Sequence, residues 1–162
     1  MKKCVFAGTF DPPTVGHEDV VKKSLLIFDE VVVALLNNPQ KDALFTLQER
    51  KMLLEKLFSG VKGVRVRTFA GAAVDLLVEE GTPFYVRGVR DSIDFEYENR
   101  NHYASRRLKP DLVTIYLPCE QEHMHVSSTL VRNSVKFSKE YSDLIPAAIY
   151  ADVTKMLEDK NV

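Results

Sequence analysis

The segment GTFDPPTVGHEDVV, residues 8–21, lies between a short apolar run and a run with helical periodicity. Gly8 allows a sharp turn after the apolar run, and Thr14 is suited to cap the helix that follows. Gly16 and His17 then fall in the first helical turn, where free backbone amides and the helix dipole attract anions. His17 adds a side-chain donor, and because the turn is also rich in glycine and follows the carboxyl end of a predicted strand, the segment favours a phosphate site over a capped helix with an incidental histidine.

Two later loops have basic side chains that could reach the same phosphates. Lys41 lies in NNPQKDALF, and Arg87 and Arg90 lie three residues apart in VRGVRDS. Each of these residues, taken alone, is most simply interpreted as a surface charge. Two guanidinium groups that converge on a strand end can instead bind phosphate oxygens bidentately, while a lysine acts as a point charge. Gly88, between the arginines, permits close approach of a ligand to the backbone.

The segment HMHVSST provides a second candidate anion site. Ser127, Ser128 and Thr129 would open a helix, where hydroxyls and free amides could bind the outer phosphates of a nucleotide. A plain serine N-cap is the common alternative. His123 and His125 lie close together, but the sequence offers no third ligand at a spacing suited to a metal. Both histidines are therefore predicted to line the pocket.

The elements that must position these residues define the fold class. Strand-like runs that are apolar at consecutive positions indicate burial on both faces, which is typical of a parallel sheet covered by helices. We therefore predict an α/β fold, a single doubly wound, Rossmann-like domain over 1–162 with a five-stranded parallel sheet flanked by helices. The predicted strands are 3–7, 30–36, 64–69, 83–88 and 112–117. The predicted helices are 15–28, 46–58 (opened by a Thr46–Glu49 capping box), 71–80, 91–108, 127–137 and 145–158.

This fold class predicts where the chemistry lies. Ligands of doubly wound sheets bind beyond the carboxyl ends of the strands, at the point where the strand order reverses. The loops that follow the strands should therefore form the site. These loops are 8–16, 37–45, 69–73, 87–91 and 118–127.

Composition and charge argue against several functional classes. The chain has 162 residues, of which 45% are hydrophobic and 28% charged, and its net charge is −1. Such values are ordinary for a globular protein and provide no general attraction for nucleic acid or an anionic membrane. No apolar run approaches the roughly 18 residues of a transmembrane helix. The two cysteines, Cys4 and Cys119, are expected to be reduced thiols of a cytoplasmic protein.

Several segments together resemble a known enzyme family. GTFDPPTVGH resembles the GTFDPxTxGH signature of nucleotidyltransferases with a (T/H)xGH motif. Within that superfamily FTLQERKMLL (45–54), RGVRDSIDFEYE (87–98) and VSSTLVR (126–132) are similar to segments of bacterial phosphopantetheine adenylyltransferases. The resemblance implies transfer of the adenylyl group of ATP to 4′-phosphopantetheine, giving dephospho-coenzyme A and pyrophosphate, by direct attack without a covalent enzyme intermediate.

The resemblance also implies roles for individual residues. The implied catalytic residues are His17, Thr9, Lys41 and Arg87. The implied phosphopantetheine contacts are Thr9, Lys41, Ala73 and Arg87. The implied ATP contacts are Thr9, Phe10, His17, Gly88, Val89, Arg90, Glu98, His123, Met124, His125, Val126, Ser127, Ser128 and Thr129. For Glu98, an exposed helix carboxylate is an open alternative, and His123 and His125 stand where relatives more often have aromatic residues.

Further implications concern cofactors and partners. Mg²⁺ is expected to arrive with ATP, bound mainly by phosphates and water rather than by a protein metal site. Coenzyme A is the implied feedback inhibitor, and the family suggests a homohexamer.

Two other functions stay open at this point. The first is another (T/H)xGH nucleotidyltransferase, which forms a dinucleotide or a CDP-alcohol. Thr14, in place of the histidine that cytidylyltransferases tend to have, and the segment RGVRDSIDFEYE argue against it. The second is a regulatory nucleotide-binding module without turnover, against which the presence of His17, Lys41 and Arg87 together argues.

Overall fold

The computed structural model describes residues 1–40 and 42–162, and these residues form five strands and six α-helices. The strands are β1 (Lys3–Gly8), β2 (Glu30–Leu36), β3 (Val64–Phe69), β4 (Phe84–Val89) and β5 (Val113–Pro118). The helices are α1 (Val15–Ser24), α2 (Leu47–Leu57), α3 (Ala73–Glu79), α4 (Ser92–Arg106), α5 (Ser128–Lys136) and α6 (Ala147–Asp159). Among the described residues, no helix combines the length and apolarity that a membrane crossing requires.

The strands form one parallel sheet in the order β3-β2-β1-β4-β5. The chain builds β1, β2 and β3 in one direction and then returns to add β4 on the other side of β1. The strand order therefore reverses between β1 and β4, and the carboxyl ends of these two strands mark the expected ligand site. The predicted α/β fold with a five-stranded parallel sheet is confirmed.

Both faces of the central strands β1 and β2 are buried, which explains their consecutive apolar residues. In β2, Val31 and Val33 pack into one core, while Val32 and Ala34 pack into the other. The first core is covered by α1, α2, α5 and α6, and the second is covered mainly by Leu76 and its neighbour in α3. This is the helical layer on each face that a doubly wound domain requires.

Several helix ends differ from the predicted bounds. The α1 helix ends at Ser24 rather than at residue 28. After Ser24 the backbone bonds tighten to i→i−3, with the N–H of Leu26 donating to the Lys23 carbonyl at 3.1 Å and that of Ile27 to the Ser24 carbonyl at 3.0 Å. Residues 25–27 form a turn, so the apolar spacing that continues past Ser24 does not belong to a helix. At the start of α2, the predicted Thr46–Glu49 capping box is confirmed.

Candidate active site

A cavity of about 520 Å³ opens at the carboxyl ends of β1 and β4. The first turns of α1 and α5 both contribute to its wall, so the free amides of two helix N-termini point toward one space. Most of the predicted site residues line it: Thr9, Phe10, His17, Arg87, Gly88, Val89, Arg90, Glu98, His123, Val126, Ser127, Ser128 and Thr129.

Four predicted site residues are not among the described residues of the cavity wall. Lys41 lies outside the described residues, although its neighbours Asp42 and Ala43 line the cavity. Ala73 opens α3 beyond β3, which is an edge strand two positions from β1, so it does not line this cavity. Met124 and His125 are exposed residues of the turn before α5 and are not part of the cavity wall either.

His17 is fixed by the cap of the helix that it occupies. The backbone N–H of Thr14 donates to Nδ1 of His17 at 3.0 Å, and the N–H of His17 donates to the Thr14 hydroxyl at 3.4 Å. Since Nδ1 accepts a bond, the proton of the neutral ring resides on Nε2. Burial, together with the positive charges of Arg87 and Arg90, lowers the pKa of His17 to about 4. At neutral pH, His17 is therefore an uncharged ring with an Nε2–H donor.

Arg87 is held in the cavity wall by protein groups on all sides. Its Nε and Nη2 donate to the two carboxylate oxygens of Glu98 at 2.9 and 2.7 Å. Its Nη1 donates to the Ala7 carbonyl at 2.7 Å and to the Tyr85 hydroxyl at 3.1 Å. The side chain of Glu98 is only 12% exposed, so the alternative of an exposed helix carboxylate is wrong.

Arg90 has the same kind of partner. Its Nε and Nη2 donate to Asp94 at 2.9 and 3.3 Å, and its Nη1 donates to the Val126 carbonyl at 3.1 Å. The bidentate edges of both Arg87 and Arg90 are thus paired with carboxylates rather than free for a phosphate. A charge that is largely removed from water, as in the Arg87–Glu98 pair, needs such a partner, and the sequence does not reveal either pairing.

The start of α5 combines capping with contacts to the first loop. Ser127 is the N-cap and accepts the N–H of Leu130 at 3.0 Å, as the common alternative predicted. The hydroxyl of Ser128 donates to the Pro12 carbonyl at 2.8 Å, and Thr129 accepts from Arg132 at 3.1 Å. The bond from Ser128 to Pro12 holds the N-terminus of α5 against the loop that precedes α1.

Arg132 and Asp11 are site residues that the sequence reasoning missed. Arg132 lines the cavity and donates to the carbonyl of Asp11 at 2.8 Å. The buried carboxylate of Asp11 accepts the N–H groups of Leu44 and Phe45, both at 2.9 Å. Both residues lie within segments already singled out, GTFDPPTVGH and VSSTLVR, so the motifs indicated the region without indicating these contacts.

The side chain of Arg50 connects the loop after β1 to the loop before α2. It is only 5% exposed, and it donates to the Thr9 carbonyl at 2.9 Å and to the Phe45 carbonyl at 3.0 Å. Desolvation by burial lowers the pKa of Arg50, an effect that Asp11 partly opposes. The arrangement fixes the backbone of Thr9 and of the segment that follows Lys41.

Gly88 has a packing role that was not foreseen. A Cβ at this position would lie 2.7 Å from Cγ2 of Val20, closer than real Cβ contacts, so glycine lets α1 pack closely against β4. At Gly16, the nearest atom to a built Cβ is the Thr14 hydroxyl at 3.5 Å, an ordinary contact. A side chain at residue 88 would thus force Val20 to move, whereas Gly16 is not forced by internal packing.

The site as a whole suits a nucleoside phosphate. Three arginines line it, Arg87, Arg90 and Arg132, and two helix N-termini add partial positive charge. Among the described residues, no group of three or more His, Cys, Asp or Glu side chains could hold a metal ion. The geometry can bind polyphosphate and donate hydrogen bonds to a reacting phosphoryl group.

Comparisons with known proteins agree with this chemistry. The profile of the family described as cytidylyltransferase-like matches residues 5–134. The chain is 34% identical over 155 residues to the phosphopantetheine adenylyltransferase of Alkaliphilus metalliredigens, covering 96% of this chain and 99% of the relative. It is 38% identical over 157 residues to that of Thermotoga neapolitana, covering 96% of this chain and 98% of the relative.

A solved structure is similar in fold. The crystal structure of a proposed nicotinate-nucleotide adenylyltransferase from Vibrio parahaemolyticus superimposes with a TM-score of 0.67 at 21% identity. The similarity covers 99% of this chain and 94% of that one. At this level of identity the similarity concerns the fold alone.

Proposed function

The chain belongs to the phosphopantetheine adenylyltransferases of the cytidylyltransferase-like family, and we propose how its residues perform their reaction. The enzyme transfers the adenylyl group of ATP to 4′-phosphopantetheine and releases dephospho-coenzyme A and pyrophosphate. The observation that carries this function is the similarity to enzymes of that name over nearly the whole chain. Formation of a dinucleotide or a CDP-alcohol, and a module without turnover, receive no support.

The reaction is a direct displacement at phosphorus. An oxygen of the acceptor phosphate forms a bond to the α-phosphorus of ATP, while the bond from the α-phosphorus to the bridging oxygen of pyrophosphate breaks. Since the substrate supplies the nucleophile, no protein side chain needs to be one. The protein contributes by positioning both substrates and by stabilising the charge that develops.

His17 is proposed to donate its Nε2–H to an oxygen of the α-phosphoryl group. The cap of α1 supports this role because Thr14 occupies Nδ1 and leaves the protonated nitrogen for the substrate. The low pKa of about 4 keeps the ring neutral, so it acts as a hydrogen-bond donor and not as a general acid.

Arg87, Lys41 and Thr9 are proposed to hold the acceptor phosphate. Arg87 makes four hydrogen bonds to protein groups, so it supplies a fixed positive charge rather than a pair of free N–H donors for bidentate binding. Glu98 is then a residue that orients Arg87, and any contact it makes with ATP is secondary. Thr9 lines the cavity, and its backbone is fixed by Arg50.

The outer phosphates of ATP are proposed to lie between Arg90 and the start of α5. Arg90 bonds to the carbonyl of Val126 and so ties β4 to that helix. The amides of Ser128 and Thr129, together with Arg132, add donors at the same end. Loss of pyrophosphate would be assisted by these groups, since they neutralise the negative charge of the leaving group.

Mg²⁺ is proposed to enter with ATP. It prefers oxygen ligands in octahedral geometry and retains water readily. The carboxylates of Glu98 and Asp94 are already paired with arginines, and the described residues contain no cluster of acidic or histidine ligands. The residues present therefore fit an ion bound mostly by phosphates and water, which would reduce the charge repulsion between acceptor and donor.

Coenzyme A is proposed to bind in the same cavity as an inhibitor. It differs from the product only by a phosphate on the 3′ position of the ribose, so a site that holds the product does not readily reject it. Calorimetric titration of coenzyme A into the free enzyme and into the enzyme saturated with phosphopantetheine tests this. Undiminished binding to the saturated enzyme would contradict a shared site.

A homo-oligomer, with a hexamer as the family's suggestion, is proposed to form through α4. In this fully described helix no residue is buried, and apolar side chains such as Ile93, Tyr97 and Tyr103 are exposed. Sedimentation velocity of Tyr97→Lys should show dissociation, whereas Leu26→Lys, at an exposed apolar residue outside α4, should not. Identical sedimentation of Tyr97→Lys and the unmodified protein would exclude this surface.

A cytoplasmic location is proposed on different grounds. Cys4 and Cys119 are both free cysteines. Free thiols are typical of a reducing compartment. Cell fractionation with an antibody to the chain tests the proposal, and recovery outside the cytoplasm would overturn it.

The function itself is tested with purified protein, ATP, Mg²⁺ and 4′-phosphopantetheine. Stoichiometric release of pyrophosphate and dephospho-coenzyme A is the expected result. CTP in place of ATP, and nicotinate mononucleotide in place of phosphopantetheine, serve as controls for the other nucleotidyltransferase reactions. Turnover only with one of these replacements would overturn the function.

A further inference from the structure

The loop after β1 makes a backbone turn at Phe10 that side-chain-bearing residues rarely adopt. The φ angle of Phe10 is 49°, in the left-handed region, where a bulky aromatic residue is an outlier. Phe10 is nevertheless only 2% exposed, and its ring meets that of His17 in a T-shaped contact with centroids 4.8 Å apart. A strained residue of this kind persists only where its surroundings hold it, and such residues cluster at functional sites.

Two arginines hold the carbonyl groups of the residues on either side of Phe10. Nη1 of Arg50, in α2, donates to the Thr9 carbonyl at 2.9 Å. Nη1 of Arg132, in α5, donates to the Asp11 carbonyl at 2.8 Å. Charged side chains from two different helices therefore fix the backbone before and after the turn.

Arg50 and Asp11 also anchor this turn to the segment before α2. Nε of Arg50 donates to the Phe45 carbonyl at 3.0 Å. The carboxylate of Asp11 accepts the N–H groups of Leu44 and Phe45, both at 2.9 Å. Both polar groups of the Phe45 backbone are thus bonded to these two side chains, which we call the Arg50–Asp11 clamp.

Burial of two charges is not the most stable way to join two segments. Arg50 is 5% exposed and Asp11 is 4% exposed. Because removal of a charge from water costs free energy, apolar side chains of similar volume often stabilise a fold as well or better. Charged groups with directional hydrogen bonds instead fix the backbone atoms that they contact. The backbone fixed here is that of residues 9–11, and all three residues line the cavity.

We propose that Arg50 and Asp11 are positioning residues for adenylyl transfer, because they hold the left-handed turn at Phe10. The turn in this position orients Thr9 toward the acceptor phosphate and packs the Phe10 ring against His17. The inference rests on the proposed function, since it concerns the geometry of the same reaction. Release of the turn should misplace both groups relative to the α-phosphorus, and misplacement by about 1 Å can lower a rate about a hundredfold.

The first test replaces Arg50. Arg50→Met keeps a long side chain without the charge or the hydrogen bonds. We expect kcat to fall between about tenfold and a hundredfold and KM for phosphopantetheine to rise, with KM for ATP within about threefold of its unmodified value. Affinity for ATP should persist because Arg90 is joined to the Val126 carbonyl independently of Arg50. Arg50→Lys, which restores the charge but reaches fewer carbonyls, should recover part of kcat.

Two further variants separate positioning from folding. Arg50→Met combined with Asp11→Asn removes both buried charges, so it leaves no uncompensated charge and should show the same kinetic defect. Glu80→Gln is the matched control, since Glu80 is a buried carboxylate that pairs with Arg65 and Arg67 outside the cavity wall. It should lose stability in urea unfolding without a change in kcat per folded molecule.

Nuclear magnetic resonance provides a readout that does not depend on turnover. The ring current of Phe10 shifts the Cε1–H resonance of His17, and Phe10→Leu defines the position of that resonance without the ring. Loss of the signal in His17→Gln assigns it. In Arg50→Met the resonance should move toward its position in Phe10→Leu, whereas in Glu80→Gln it should stay unchanged.

The outcomes distinguish this inference from the proposed function. If folded Arg50→Met and the double variant keep the kcat and the His17 resonance of the unmodified protein, the inference is wrong even though the enzyme turns over. A kcat that falls only in proportion to the folded fraction would also overturn it. If the unmodified protein shows no adenylyl transfer but the resonance moves as predicted, the proposed function fails and the positioning of His17 by the clamp stands.

Discussion

Replacement of His17 tests how the cap of α1 contributes to turnover. Thr14 occupies Nδ1 at 3.0 Å, so His17→Ala removes a single Nε2–H donor from the cavity. Loss of one donor to a developing charge commonly costs about 3 kcal/mol, and we expect kcat to fall about a hundredfold or more. Affinity for ATP should change much less, because this bond strengthens mainly in the transition state.

Two amide replacements sharpen the expectation. His17→Gln can place its amide nitrogen near the position of Nε2 and should retain part of the activity. His17→Asn places its amide nearer the position of Nδ1, beside the N–H of Thr14, and should resemble His17→Ala. The difference between Gln and Asn isolates the donor from the loss of ring packing against Phe10, whose ring centroid lies 4.8 Å away.

The pKa of about 4 gives this prediction a pH dependence. At pH 7 only about one His17 in a thousand is protonated, so the pH profile of kcat/KM should show no limb near 6.5 from this residue. The unfolded chain, with a histidine pKa of about 6.5, binds more protons than the folded one between pH 4 and 6.5. Stability should therefore fall by about 3 kcal/mol as pH drops through that window.

The assays are pyrophosphate release for kcat, calorimetry for ATP affinity and urea unfolding at pH 4 and 7 for stability. Equal losses in ATP affinity and in kcat for His17→Ala would assign the residue to uniform binding and refute the role in the transition state. An acid limb near pH 6.5 that disappears in His17→Gln would refute the neutral ring.

Three further changes test the packing and the ion pairs. Gly88→Ala should destabilise the fold by about 1–3 kcal/mol in urea unfolding, since its Cβ would lie 2.7 Å from Val20. Adding Val20→Ala to this variant should recover part of the loss. Unchanged stability of Gly88→Ala would contradict the close packing. Glu98→Ala leaves Arg87 without its carboxylate partner and should lower the free energy of unfolding by about 3 kcal/mol. It should also weaken phosphopantetheine binding. If calorimetry shows unchanged affinity for phosphopantetheine, the Arg87–Glu98 pair does not contribute to the acceptor site. Hydrogen bonds from arginines outweigh burial and hold the pKa of Glu80 at about 2. About 3 kcal/mol of stability should therefore be present above pH 4.5 and be lost as pH falls through 2. Glu80→Gln should lack this pH dependence, and an acid unfolding profile unchanged in that variant would refute the role of Glu80.

The sequence was sufficient for the fold because its periodic signals agree with the packing. The alternation of Val31 and Val32 between two cores is what a consecutive apolar run means in a parallel sheet. The position of the cavity followed from the strand-end rule once the strands were assigned. The end of α1 was not predictable in this way, because the apolar spacing continues past Ser24 while the backbone changes to the i→i−3 bonds of a turn.

The sequence could not reveal which side chains of the site form ion pairs with each other. The pairing of Arg87 with Glu98 depends on how α4 lies against β4, and that of Asp19 with His123 spans 104 residues. Neither has a local pattern. The bond between Thr14 and His17 is different, since it is a capping box with histidine in place of glutamate or glutamine, and a broader capping rule would have found it.

That capping box has a consequence for protein engineering. Efforts to raise thermal stability often optimise helix caps. They would replace the residue at the third position of α1 with glutamate, the usual capping-box residue. The substitution His17→Glu would keep the reciprocal bond with Thr14 and favour the helix dipole. It would also place a carboxylate where the proposed mechanism needs a donor to phosphate. Selection for heat resistance thus favours glutamate at residue 17, whereas selection for turnover favours histidine. A library screened for melting temperature alone would discard the histidine.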